Sequence, residues 1–249
     1  AFVAITCSSK TTSEVRVMKS RGNSELHLVR PREAGVEYYV EFCKETLHIV
    51  TNLNASEFYL ASLPLTSVLS NAEEDFKVEY VPSEGFVVDI DVFSKFLVLY
   101  EKSFQLGSVL RVFSLKRNGA VGESWSEDIS LKGSKVELDP SPNKNFNSEF
   151  VEFSLSNVLT RQRKARYHFR DKSTSFLNES VAADFSYENN GFICRSETAV
   201  AKDGTSIPIT LAHKRSIEKN GSNPLMMFGY GAYGRPLKLE HCPEYTAML

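Results

Sequence analysis

Long apolar runs are missing from this 249-residue chain, and none approaches the roughly 20 residues that a membrane-spanning helix needs. Cysteine is scarce, and its four residues are scattered without a C-x-x-C pair. That pattern is typical of reduced thiols, so we expect a cytoplasmic protein. No charge of one sign is in large excess, because the formal net charge is -2 at pH 7. We therefore expect neither nucleic acid nor an anionic membrane as a partner.

Metal-binding and nucleophile motifs are missing as well. No H-E-x-x-H motif or Cys/His cluster is formed by the five histidines, which are His27, His48, His168, His213 and His241. We therefore expect no metal site. A serine hydrolase carries its nucleophile on a strand-to-helix elbow, usually G-x-S-x-G, and this pentapeptide does not occur. If the chain is part of such an enzyme, we expect the nucleophilic Ser and its Asp and His partners to lie outside it.

Both ends of the sequence have the features expected of a truncated chain. The first residue is Ala1 rather than Met, and Ala1 to Ile5 already has the composition of a strand. At the other end, Glu244 to Leu249 stops without a terminating signal. We therefore expect a fragment of a longer protein.

Residues 1 to about 188 contain repeated pairs of short strands. Each pair joins an apolar strand to an alternating one across a polar turn, as in Leu47–Thr51 followed by Glu57–Leu63. Taking Phe2, Leu47, Phe96 and Phe150 as equivalent starts, subtraction gives spacings of 45, 49 and 54 residues. Strand repeats of roughly 40 to 50 residues predict propeller blades. A β-sandwich, the alternative, lacks such a super-period.

The repeated strand pairs end at a polar, turn-forming cluster, Tyr187 to Gly191. We therefore place a domain boundary between residues 188 and 189. Thr198 to Leu211 predicts two strands joined by a two-residue turn at Asp203-Gly204. Leu225 to Phe228 is an unbroken apolar run, which predicts a third strand buried on both faces. Two hairpin strands followed by a buried strand are how an α/β-hydrolase domain begins.

Three glycines follow that run, at positions 229, 231 and 234, and they alternate with Tyr230, Ala232 and Tyr233. Glycine lets the chain turn sharply and approach a ligand closely. In an α/β-hydrolase, one oxyanion donor comes from the loop after the third strand. A tyrosine there can donate its hydroxyl to an oxyanion. The alternative is a structural turn with aromatic packing.

Two stretches carry a resemblance to a known family. Ala201 to Pro208 and Phe228 to Gly234 resemble the start of the peptidase domain of prolyl oligopeptidases. Ser8 to Val15 and Pro31 to Tyr38 resemble the oligopeptidase B branch specifically. The similarity runs through nearly the whole chain. It implies a partial seven-bladed β-propeller at 1–188, followed at 189–249 by the first strands of an α/β-hydrolase domain.

The resemblance also implies an activity. The intact protein is expected to be a serine peptidase that cleaves short unstructured peptides after Lys or Arg, with a Ser-Asp-His triad and no cofactor. Tyr230 matches the family's oxyanion donor, whereas we assign Tyr233 to packing. Cleavage after proline is the alternative within the family, and a non-catalytic propeller scaffold is the alternative outside it. The sequence leaves the oligomeric state open.

Charged clusters offer weaker candidates. Glu73-Glu74-Asp75 could attract a basic substrate, but such a run is more typical of a solvated loop. Lys116 to Gly119 and Arg161 to Arg166 are interpreted as basic hairpin tips. Neither has the interleaved aromatic residues of a surface that binds single-stranded nucleic acid.

Overall fold

The computed structural model describes residues 2–21, 25–103, 107–128, 135–177, 191–231 and 237–249. Within these ranges the fold is mainly β, as predicted. The strands are β1 (Phe2–Ser8), β2 (Ser13–Lys19), β3 (His27–Arg30), β4 (Tyr38–Cys43), β5 (Thr46–Thr51), β6 (Tyr59–Pro64), β7 (Lys77–Tyr80), β8 (Phe86–Val92), β9 (Phe96–Ser103), β10 (Gly107–Leu115), β11 (Val121–Asp128), β12 (Glu137–Pro140), β13 (Phe150–Asn157), β14 (Thr160–His168), β15 (Ser173–Leu177), β16 (Phe192–Val200) and β17 (Ser206–Lys214). The helices are α1 (Leu65–Leu69) and α2 (Pro243–Thr246).

Neighbouring strands pair into separate antiparallel sheets. Three sheets have four strands each, namely β4–β7, β8–β11 and β12–β15, while β1–β3 form a three-stranded sheet. Leu47, Phe96 and Phe150 all lie on the second strand of their sheets, whereas Phe2 lies on the first strand of the three-stranded sheet. The predicted repeat therefore corresponds to one sheet per repeat, although Phe2 is not an equivalent start. Four-stranded antiparallel sheets repeated along the chain are propeller blades. The predicted partial propeller is confirmed.

The chain divides into two compact units, and each unit contains some of the blade strands. One unit comprises Ala1–Gln105, Val109–Asp128 and Asn143–Ser148. The other comprises Leu106–Ser108, Ile129–Pro142 and Glu149–Leu249.

Strand β5 forms the centre of the first unit because both of its faces are covered. Leu47 and Ile49 belong to a cluster with Val15 of β2, whereas Val50 belongs to a second cluster with Leu99 of β9. The alternation of a strand explains this division, since successive side chains point to opposite faces. Fully burying one such aliphatic side chain contributes about 1.5–3 kcal/mol.

Tyr38 stabilises an irregularity in the first sheet. The pairing of β2 with β3 shifts by one residue between Val15 and Arg16. The Tyr38 hydroxyl accepts hydrogen bonds from the backbone N–H groups of Val15 (2.9 Å) and Arg30 (3.1 Å), and donates one to the Arg30 carbonyl (2.6 Å). The side chain thereby supplies partners for backbone groups close to the shifted register.

Two turns between strands require glycine. Gly85 and Gly119 both have a φ of 90°, in the left-handed region that L-residues rarely occupy. A Cβ atom at Gly85 would collide with the carbonyl oxygen of Lys102, and one at Gly119 would collide with that of Cys43. The tip of the β10–β11 hairpin can therefore lie against the β4–β5 turn only with glycine at position 119.

The predicted basic hairpin tip at Arg161 to Arg166 is wrong, because these residues lie within β14. Their side chains contact the strands beside them. Arg166 pairs with Glu152 at 2.7 Å, and the guanidinium of Arg163 lies 4.1 Å from the ring centroid of Phe176. The sequence interpretation failed because β14 already begins at Thr160, so the basic run forms part of the strand rather than the turn before it. Lys116 to Gly119 does form a hairpin turn, as predicted.

Strands β16 and β17 form the predicted hairpin, but the turn differs from the prediction. Val200 pairs with Ser206, so the connection is longer than the dipeptide Asp203-Gly204. The N–H of Ala201 donates to the Thr205 carbonyl (2.8 Å), and the N–H of Gly204 donates to the Ala201 carbonyl (3.0 Å). Gly204 has a φ of 87°, which is typical of the last residue of a three-residue turn with a bulge.

The predicted buried strand at Leu225 to Phe228 is wrong. Within the described ranges these residues belong to no sheet, and their exposed fractions are 76%, 54%, 85% and 49% in chain order. A strand needs a neighbour to satisfy its backbone, and an apolar run is buried only when both faces are covered. The described residues supply no pairing strand for this run, and they leave all four side chains about half exposed or more.

The proposed domain boundary between residues 188 and 189 lies outside the described residues and stays a prediction. Among the described residues, no helix is both long and apolar enough to cross a membrane.

Candidate functional site

Tyr230 lies on an extended loop between the β16–β17 hairpin and helix α2. Its side chain is 54% exposed. Its role as an oxyanion donor stays a prediction. Tyr233, the predicted packing residue, lies outside the described residues.

Aromatic stacking fixes the chain just before Tyr230. The rings of Phe228 and Tyr245 stack with centroids 4.2 Å apart and an interplanar angle of 29°. Tyr245 belongs to α2, whose first residue is Pro243 and which therefore starts with a preset φ. Offset stacking of this kind adds about 0.5–1.5 kcal/mol beyond the burial of the rings. The contact joins the exposed apolar run to the end of the chain.

Polar contacts fix the chain after Tyr230. Lys238 Nζ lies 2.7 Å from Asp139 Oδ1, and the backbone N–H of Leu239 donates to Glu137 Oε2 at 3.2 Å. Both acidic residues belong to β12, and Glu137 is only 3% exposed. The hydrogen bond to Asp139 raises the pKa of Lys238, so the ammonium stays charged at neutral pH.

Four of the five histidines, His27, His48, His168 and His213, lie within strands. His168 Nε2 is 3.0 Å from the Ser175 hydroxyl. Among the described residues, no three His, Cys, Asp or Glu side chains are arranged to hold a metal ion.

His48 is unusual because it is completely buried. It is 0% exposed, and it shares a face of β5 with Val50. Burial lowers its pKa to about 4, although nearby Glu79 and the backbone of Gly119 act in the opposite direction. The ring is therefore neutral at pH 7 and contributes to packing rather than to proton transfer.

The acidic run at Glu73-Glu74-Asp75 is part of an exposed loop, consistent with the solvated interpretation. The Asp75 side chain is 97% exposed and pairs with Arg30 at 3.6 Å, while Glu74 accepts a hydrogen bond from Ser67. These contacts occur within one unit and resemble ordinary surface pairs, which contribute at most about 1 kcal/mol.

A second group of carboxylates was not predicted from the sequence. Glu41 lies on β4, and Asp89 and Asp91 lie on β8, which are the first strands of consecutive sheets. Desolvation raises the pKa of Glu41, with further contributions from Asp91 and then Asp89. Asp91 also accepts hydrogen bonds from Tyr100 and Asn143, both at 2.8 Å. Glu41 is some 50 positions from the other two and lies in a different sheet, so only the packing of two sheets brings these residues together.

Comparisons with known proteins agree with this architecture. A family model described as the N-terminal β-propeller domain of prolyl oligopeptidase matches residues 1–181. The chain is 30% identical over 243 residues to a prolyl endopeptidase-like protein of Xenopus laevis, covering 96% of this chain and 32% of the relative. It is 24% identical over 235 residues to dipeptidyl aminopeptidase BI of Pseudoxanthomonas mexicana, covering 94% and 31%.

A solved structure shows the same fold. Oligopeptidase B from Trypanosoma brucei, in a closed form with covalently bound antipain, superposes with a TM-score of 0.79 at 22% identity. The match covers 97% of this chain and 34% of that protein. The chain thus spans about a third of the length of the curated relatives that it matches.

Proposed function

This chain belongs to the prolyl oligopeptidase family, and we propose that the whole protein is a serine peptidase that hydrolyses short unstructured peptides after Lys or Arg. The observation that carries the proposal is the order of elements. Propeller blades are followed by a hairpin, then by a glycine-rich loop that presents Tyr230. The resemblance to the family predicts a propeller followed by hydrolase strands, and the observed order of blades, hairpin and loop supports the proposal.

In the proposed reaction, a serine hydroxyl attacks the carbonyl carbon of the scissile peptide bond while a histidine accepts its proton. The carbonyl oxygen then carries a full negative charge. Tyr230 donates its hydroxyl hydrogen to this oxyanion, a hydrogen bond that strengthens as charge develops. The histidine then protonates the leaving amine as the C–N bond breaks. A water molecule, deprotonated by the same histidine, finally attacks the acyl-enzyme and releases the carboxylic acid and the free serine. The Ser-Asp-His triad is assigned to the two thirds of the protein that this chain does not cover, and no metal or cofactor takes part.

Specificity for Lys and Arg rests on the resemblance to the oligopeptidase B branch. Cleavage after proline is the alternative, in keeping with the name of the Xenopus laevis relative. Fluorogenic peptides of equal length, carrying Arg or Pro before the scissile bond, separate the two in the full-length protein. We expect kcat/KM to be higher for the Arg peptide, and a preference for the Pro peptide would overturn the branch assignment.

The propeller is proposed to restrict access, so that the enzyme spares folded proteins. The test compares a flexible peptide with the same Arg-containing sequence held in a rigid loop of a folded carrier. We expect turnover of the peptide alone. Equal rates for the two would eliminate gating by the propeller. The 249-residue chain, for which we expect no turnover, is the negative control.

A non-catalytic propeller scaffold is the second candidate, because the chain contains no G-x-S-x-G pentapeptide. The coding sequence downstream of Leu249 distinguishes the two. A G-x-S-x-G elbow followed by Asp and His supports the enzyme. A stop codon directly after Leu249 supports the scaffold.

A further inference from the structure

The segment after the Tyr230 loop is joined to a propeller strand by two different kinds of contact. One is the ion pair between Lys238 and Asp139, at 2.7 Å. The other is the hydrogen bond from the Leu239 backbone to the carboxylate of Glu137, at 3.2 Å. Glu137 and Asp139 are two positions apart on β12, so their side chains share one face of that strand. Two adjacent residues of the segment therefore meet two side chains of one strand face.

The same segment also holds the chain that precedes Tyr230. Tyr245 stacks on Phe228, which is two residues before Tyr230. Lys238 is eight residues after it. Contacts on both sides of Tyr230 therefore lead to residues 237–249, and that segment is attached to β12. All of these residues belong to one compact unit.

The ion pair by itself contributes little to folding stability. The Asp139 side chain is 30% exposed and that of Lys238 is 52% exposed. Pairs so open to solvent are screened, and double-mutant cycles usually find only about 0.2–1 kcal/mol for them. Such a contact affects where a segment lies more than whether the domain folds. In catalysis, a displacement of about 1 Å can cost on the order of 100-fold in rate.

We propose that Asp139 and Lys238 are positioning residues, which tether the segment after the Tyr230 loop to strand β12 and thereby fix where Tyr230 presents its hydroxyl. This inference rests on the proposed function, because positioning matters only if Tyr230 contacts the reacting carbonyl. Asp139, on propeller strand β12, thereby helps to align the oxyanion donor.

Two measurements on the full-length enzyme test the tether and its consequence separately. The first is hydrogen exchange at the Leu239 amide, which we expect to speed up by about tenfold in Asp139→Asn and Lys238→Met, since each removes one partner of the pair. The second is steady-state kinetics with a short Arg peptide. We expect kcat to fall by about threefold to tenfold while KM stays within about twofold.

Two further variants show whether the effect acts through Tyr230. The charge exchange Asp139→Lys with Lys238→Asp should restore at least part of the lost kcat, because the pair is re-formed in reverse. In a Tyr230→Phe background, Asp139→Asn should have no further effect on kcat, because the donor that it positions is gone. The matched control is Glu152→Gln, which breaks an ion pair of similar exposure between β13 and β14.

Each contrary result has a distinct meaning. Unchanged exchange at Leu239 in both single variants would overturn the tether. A loss of kcat that persists in full in the Tyr230→Phe background would overturn the positioning role, because the pair would then act elsewhere. If Tyr230→Phe alone leaves kcat unchanged, the proposed function of Tyr230 fails, and the positioning role fails with it. The exchange data would then still report whether the tether forms.

Discussion

Large apolar side chains are buried in the blades but exposed in part of the tail, which we define as residues 191–249. Leu97 and Leu99, on β9, are 0% exposed. Leu225 and Met227, in the tail, are 76% and 85% exposed. Strand β9 pairs on both sides, and its side chains meet another sheet. Among the described residues, the run Leu225 to Phe228 has neither a pairing strand nor a sheet against it. Hydrophobicity supplies the tendency to be buried, but the covering sheet decides whether burial occurs.

The largest expected effect tests this contrast directly. In the 249-residue chain, Leu99→Ala should lower the free energy of unfolding by about 2–5 kcal/mol, because it removes buried methyl groups and leaves a cavity. Met227→Ala, the matched truncation in the tail, should change it by less than about 0.5 kcal/mol. Urea unfolding followed by tryptophan fluorescence measures both. Equal losses would show that the tail run is buried in solution.

The second prediction concerns the one tail residue to which we assign chemistry. In the full-length enzyme, Tyr230→Phe should lower kcat by about 10²- to 10³-fold, or roughly 3–4 kcal/mol, because one oxyanion donor is lost. KM should stay within a few-fold, since the hydrogen bond forms mainly in the transition state. Steady-state kinetics with an Arg peptide provides both values.

Two controls accompany that prediction. Tyr245→Phe removes a hydroxyl but keeps the ring that stacks on Phe228, so kcat should stay near the wild-type value. Tyr233→Phe should likewise cost little if that residue only packs. If Tyr230→Phe and its controls all leave kcat within about threefold, the oxyanion role is wrong and the glycine-rich loop is a structural turn.

The smallest expected effect is the pH dependence of folding stability that His48, a blade residue, produces. The pKa of His48 is about 4 in the folded chain, against 6.5 for an unperturbed histidine. The unfolded chain therefore binds this proton first as the pH falls, and stability is lost from about pH 6.5 downward until the folded pKa of about 4 is reached. We expect His48 to account for about 1–2 kcal/mol of lost stability between pH 7 and pH 5.

The test for His48 is the difference between wild type and His48→Gln across this pH range. Glu41, Asp89 and Asp91 have raised pKa values, so protonating them stabilises the fold and opposes the His48 effect. Their contribution cancels when the two proteins are compared at each pH. Removing His48 should flatten the acid-induced loss, whereas His27→Gln should not. An identical pH dependence for wild type and His48→Gln would mean that His48 is solvated in solution.

Local pattern was sufficient for several strands that pair with a neighbour in sequence. The pairing of β5 with β6 follows from two apolar segments separated by a short polar turn, and the structure places Leu47 opposite Leu63. His48 lies within the predicted strand Leu47–Thr51 in the same way. Pattern was insufficient where the partner is distant in sequence or is not among the described residues. The group of Glu41, Asp89 and Asp91 depends on the order of two sheets, and Leu225 to Phe228 lack a partner strand among the described residues.

The sequence by itself determined the β class, the repeat of one sheet per 45 to 54 residues and the hairpin before the glycine-rich loop, because these depend on alternation and turn residues a few positions apart. Tertiary structure alone decided which apolar residues are buried, which basic residues lie in β14, and that Lys238 meets Asp139 across 99 positions. The physical reason is that burial and ion pairing depend on what lies against a side chain. That neighbour is set by how the sheets pack, and local sequence does not encode it.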